Sequence, residues 1–138
     1  MQRKDYGGQA AGDVPRLGKV LLLSTSSERR AGAARALGAR GSSTAYAYLR
    51  HALWDSEESV RASAIDAIGE LAVHQSAGEL AAVYAWSGPR LRRVILRAVQ
   101  RIGTGAAFDG IISLASIDPD RRVRALAIRA AHIRRGRF

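Results

Sequence analysis

The chain has 138 residues, 47% hydrophobic and 6% aromatic, with a formal net charge of +10. That length reads as one domain whose core is built mostly from small side chains, which let helices approach closely. There is no cysteine, which excludes disulfides, thiolate metal sites and cysteine nucleophiles.

Residues 1–12 are polar and glycine-containing, without periodicity, and read as a flexible arm. Basic residues there are not followed by a long apolar stretch, so no signal peptide is read. The run Val20-Leu21-Leu22-Leu23 is too short to span a bilayer. A cytoplasmic location is the expectation. From Asp13, a candidate N-cap with Pro15 in the first turn, the chain reads as one solenoid domain to residue 138.

The first predicted helix, Val14–Ser24, spaces Leu17, Val20 and Leu21 by three and four. Ser27 caps the next, over Glu28–Ala39, and Gly41 ends it. Ser43–Trp54 forms its partner. The second unit opens at Ser56 and predicts Glu57–Val73 and Gln75–Trp86. The third opens at Gly88-Pro89, runs to Ile102, breaks at Gly103 and Gly105, and continues over Ala106–Ile117. Asp118-Pro119-Asp120 starts a last helix, Pro119–Arg134.

These elements repeat. Arg30, Arg61 and Arg92 are 31 residues apart, and Arg124 follows 32 later; Ala36, Ala67, Ala98 and Ala130 keep the same spacing. A second series, Leu49, Leu80, Ile111, runs in phase. A period of this size, read as two short helices, marks a stacked helical solenoid. Each helix is marginal alone, so stability must come from stacking.

Each first helix carries one pattern: Val60-Arg61-x-x-Ala64-x-x-Ala67-Ile68-Gly69, then Leu91-Arg92 with Ile95 and Ala98, then Val123-Arg124 with Ala127 and Ala130. The pattern resembles the HEAT repeat family, in particular the short HEAT-like repeats of phycobilin lyase subunits, over about residues 14–135. The resemblance implies an all-α fold, a right-handed α-solenoid of helical hairpins. About seven helices are expected: a half unit, three full units and a half unit. Arg29 stands where the pattern has valine, so the first unit departs from it.

The arginine series Arg30, Arg61, Arg92 and Arg124 reads chiefly as structural, each guanidinium bonding carbonyls or acids of an adjacent unit. A phosphate-binding ladder is the alternative.

The excess charge lies late in the chain. Residues 1–88 hold 10 Lys/Arg against 9 Asp/Glu, whereas residues 89–138 hold 12 arginines against 3 aspartates. Arg90, Arg93, Arg97 and Arg101 share one helix face, where like charges cost about 0.2–0.5 kcal/mol per pair. With Arg129, Arg134, Arg135 and Arg137 they form a candidate patch for nucleic acid or another anionic partner.

On the outer face of the second helices, Tyr46, Arg50 and Trp54 recur at intervals of four, answered by Phe108 and Ile112, with Trp86 one residue past the row. This predicts a groove for a helix or extended peptide with aromatic anchors; the alternative is that Tyr46, Trp54 and Phe108 bury against neighbouring units. The open C-terminal end, with Leu126, Ile128 and Ile133, is expected to be capped by its own arginine-rich last helix; docking on a partner or another copy is the alternative.

Catalysis has little support. His51, His74 and His132 lie in different units, and neither a phosphate-cradling glycine loop nor a His-Glu-x-x-His motif occurs. No metal and no cofactor are expected. The leading expectation is a non-enzymatic adaptor or scaffold, without catalytic residues, that binds a protein with an acidic surface, helix or peptide. Sequence-independent nucleic-acid binding is the alternative. The resemblance also implies two minor ones, a bilin lyase subunit and a relative of the HEAT-like DNA glycosylases.

Overall fold

A computed structural model describes residues 6–103 and 105–136; the side chains of residues 6–12 and of Arg135 fall outside that description. Eight α-helices follow one another: α1 (Tyr6–Leu23), α2 (Ser27–Arg40), α3 (Ala45–Ala52), α4 (Glu58–Glu70), α5 (Ala77–Trp86), α6 (Pro89–Ile102), α7 (Ala106–Ala115) and α8 (Arg121–Arg135). The expected half, three and half units contain eight helices, not the seven of the expected total.

The stops and starts have local causes. Ser26 caps α2, its Oγ accepting from the Arg29 N–H at 3.2 Å. Gly41 ends α2 at φ 70, a left-handed residue that glycine adopts without strain. Asp120 caps α8, accepting from the Arg122 and Val123 N–H groups. Pro89 opens α6, where its missing N–H costs nothing. Gly103 at φ 108 and Gly105 at φ 153 turn the chain into α7.

Two boundaries differ from expectation. Helix α4 stops at Glu70, and a 3₁₀ turn, His74–Ser76, leads into α5. Helix α1 starts at Tyr6, so it covers residues 6–12 of the expected arm; residues 1–5 lie outside the described residues. Asp13 is therefore not a cap. Its carboxylate instead pairs with Arg40 of α2 at 3.1 Å. Pro15 sits inside α1, which forgoes one intrahelical bond there while Val14 and Leu21 bury their side chains.

Helices α2, α4, α6 and α8 stack as one layer, with α1, α3, α5 and α7 as the second. Leu37, Ile68 and Val99, at one repeat position, are fully buried, as are Leu49 and Leu80. Burying each such side chain contributes about 1.5–3 kcal/mol. Close approach depends on glycine at one register. A Cβ on Gly38 would sit 2.8 Å from the Ala67 Cβ, and one on Gly69 would sit 3.0 Å from Ala98. Gln100 takes that register in α6, and the α6–α8 contact is less extensive than the two before it.

The arginine series stitches the units together. Arg30 donates to the Ser24 carbonyl at 2.8 Å, Arg61 to that of Asp55 at 2.6 Å and Arg124 to that of Asp118 at 2.7 Å. Arg92 donates to the carbonyls of Tyr84 and Ala85 and stacks 4.5 Å over the Tyr84 ring. Two members also hold an acid of the next unit: Arg30 grips both oxygens of Asp55, and Arg92 meets Asp118 at 2.6 Å. All four guanidiniums thus bond the protein's own carbonyls, the structural role expected of the series, and two of the four also hold an acid.

Candidate functional site

The expected groove divides into buried and exposed parts. Tyr46, Phe108 and Ile112 belong to the core, at 8%, 3% and 4% exposure. The first turn of each second helix faces inward, because Tyr46, Ala77 and Phe108 hold equivalent positions and all three are buried. The Tyr46 hydroxyl bonds Glu79 of α5, and burial, that bond and the Glu79 charge push its pKa well above the ordinary tyrosine value. Arg50 stays exposed and pairs with the same Glu79 at 3.1 Å. These residues join α3 to α5 and do not line an open groove.

The two tryptophans are different. Trp54 is 52% exposed and Trp86 is 85% exposed. They line one cleft with Asp55, Arg61, Val83 and Ser87. Trp54 ends the α3 hairpin immediately before Asp55, and Trp86 ends α5 immediately before Ser87. The same register in the flanking units holds Leu23, before Ser24, and Ile117, before Asp118, at 72% and 77% exposure. Four successive units thus present an uncovered apolar side chain at one edge of the stack. The spacing of Trp54 and Trp86 marks this series in the sequence; Leu23 and Ile117 join it once the register is counted from the loop residue after each second helix.

The register explains why these side chains stay outside. Leu53, one residue before Trp54, and Tyr84 and Ala115, two residues before Trp86 and Ile117, turn inward at 0–2% exposure. One or two residues further on, about 100° or 200° round the helix, the side chain points away from the core.

The basic patch is partly separated as well. Arg90, Arg97, Arg101 and Arg129 are exposed and Arg93 is half-buried. Arg93 shares a cleft with Asp120, Arg121 and Arg122. Asp66 of α4 lies near the stripe: burial raises its pKa, while the charges of Arg101 and Arg97 oppose the rise. Arg134 is not part of an open patch. It donates to the carbonyls of Val99 and Gly103 and lies 3.1 Å from Asp109, tying the end of α8 to α6 and α7. The Arg135 side chain and Arg137 lie outside the described residues.

A family model for HEAT repeats matches residues 14–87, more than half of the chain. The chain belongs to the HEAT repeat family. No curated protein matches it. HEAT repeats commonly serve as protein-interaction scaffolds and are generally non-catalytic. The three histidines of this HEAT chain, His51, His74 and His132, are exposed on separate elements, and among the described residues no group of three or more His, Cys, Asp or Glu could hold a metal ion. No described helix is long and apolar enough to cross a membrane.

Proposed function

We propose that this HEAT chain is a non-enzymatic adaptor that binds another protein along the edge carrying Trp54 and Trp86. The observation that supports it is the exposure of two tryptophans in one cleft, in register with exposed Leu23 and Ile117. Tryptophan is enriched among residues that dominate binding energy, and it offers large area at small entropic cost. Burying such a row against a partner removes apolar surface that otherwise stays in water. Capture from a native-host lysate tests the reading, with nuclease present and at moderate salt. A protein retained by the wild type and lost from Trp86→Ser is the expected result. Equal retention by both would remove the edge as the binding surface.

A second reading is sequence-independent nucleic-acid binding, supported by the arginines Arg90, Arg93, Arg97 and Arg101 and the cleft at Arg121 and Arg122. It requires a log–log salt slope of about −0.9 per phosphate neutralised on duplex DNA, and loss of binding on charge reversal at Arg93 and Arg97. A flat salt response would remove it.

A further inference from the structure

We infer that Arg61 receives a carboxylate from the bound protein, so the segment that docks between Trp54 and Trp86 is apolar and carries an aspartate or glutamate. This rests on the adaptor reading and names the chemistry of its partner.

The inference comes from a break in the arginine series. Arg30 is paired with Asp55, 25 residues on, and Arg92 with Asp118, 26 residues on. The corresponding position for Arg61 is Ser87, which has no charge. Ser87 spends its hydroxyl on the Val83 carbonyl at 2.6 Å. Arg61 donates to the Asp55 carbonyl and forms no ion pair among the described residues.

Asp55 does not replace the missing acid. Its oxygens already accept from Arg30 Nε at 2.9 Å, from Arg30 Nη2 at 3.1 Å and from the Glu57 N–H at 2.9 Å. Of the two charged residues lining this cleft, Asp55 is engaged by Arg30, which leaves the Arg61 guanidinium without a carboxylate of its own between two tryptophans. A carboxylate arriving there completes the pairing that Asp118 gives Arg92. A guanidinium suits this task, because its planar fork matches a carboxylate and the charge-assisted bonds are strong. Flanking apolar side chains of the segment would cover the indoles and exclude water, which strengthens the ion pair.

Charge complementarity also selects the occupant. The cleft favours an acidic segment and disfavours a basic one. A second copy of this chain, at net +10, is a poor match.

Selection of a random displayed peptide library on the wild-type protein, counter-selected on Trp86→Ser, tests the inference. Selected peptides are then measured against Ser87→Asp, which supplies the acid from within. The expected outcome is peptides with Asp or Glu between apolar residues. Their Asn or Gln versions should bind at least about tenfold more weakly to wild type. Ser87→Asp should abolish that preference while unfolding at no lower denaturant than wild type.

Apolar peptides with no acid preference, bound equally by Ser87→Asp, would overturn the inference and leave the adaptor reading standing. Failure to select any peptide that distinguishes wild type from Trp86→Ser would overturn both. Dimers in sedimentation that dissolve in Trp86→Ser would give the edge to a second copy and overturn the inference.

Discussion

Arg92 and Asp118 meet at 2.6 Å across two units of the stack, with the Asp118 side chain only 2% exposed. The same carboxylate accepts the Tyr84 hydroxyl on one oxygen and the Asp120 N–H on the other. It therefore binds the third unit to the start of α8. Asp118→Ala leaves a buried guanidinium edge and a buried phenol without their acceptor. The expected loss is about 3 kcal/mol, the lower end of the range for a broken buried pair, because Arg92 keeps some contact with water. Urea unfolding measures it, and a loss well under about 1 kcal/mol would contradict this role.

The same group sets an acid limit. Burial pushes the Asp118 carboxyl up, but bonds from Tyr84, the Asp120 N–H and Arg92, with the Arg92 charge, outweigh it and hold the pKa below its ordinary value. Asp55 is lowered in the same way: burial opposes, and Arg30, the Glu57 N–H and the Arg61 charge prevail. A carboxyl that is more acidic when folded stabilises the protein above its unfolded pKa, near 3.8, and loses that effect as pH falls through the folded value. The urea midpoint should hold from about pH 7 to about pH 5 and fall below about pH 4. Asp118→Asn, less stable at neutral pH, should show a shallower acid decline.

Glycine contacts predict opposite signs for one substitution. Gly38→Ala gains about 1 kcal/mol of helix propensity but forces a Cβ against the Ala67 Cα at 2.9 Å, so repacking should dominate and destabilise by about 1–3 kcal/mol. Gly110→Ala in α7 meets nothing within 4 Å and should stabilise by about 0.5–1 kcal/mol. Thermal unfolding of both variants checks the pair; stabilisation by Gly38→Ala would mean that α2 and α4 do not approach this closely.

Trp86→Ser should change stability by no more than about 0.5 kcal/mol, since the side chain is 85% exposed. Tyr46→Ala should instead cost about 3–5 kcal/mol, because that ring is core. Similar costs for the two would mean that Trp86 is a packing residue.

The repeat made most of the fold legible. Arg30, Arg61, Arg92 and Arg124 are in register because each bonds a carbonyl of the chain just before its helix, in the loop for three of them and in the last turn of α5 for Arg92, a structural need that recurs per unit. Helix ends were less legible. Asp13 looks like a cap by residue type, yet its partner is Arg40, 27 residues away. The outer face was misassigned for the same reason. Tyr46 is followed by exposed Ala47, and Phe108 is flanked by exposed Ala107 and Asp109; only the adjacent units show that their first-turn register is internal. Arg134 looks like one more member of a basic tail; its contacts with Val99 and Gly103 depend on how α8 crosses α6. Trp54 and Trp86 were visible as a spaced pair, but their exposure follows from the inward turn of Leu53 and Tyr84.

The most direct test of protein docking on this edge is photo-crosslinking in the native host, from a photoreactive phenylalanine analogue at position 86 and, separately, at position 97. The account predicts one discrete protein adduct from position 86, competed by excess wild-type chain, and none of the same mass from position 97. Adducts from position 97 alone, or only to nucleic acid, would contradict it.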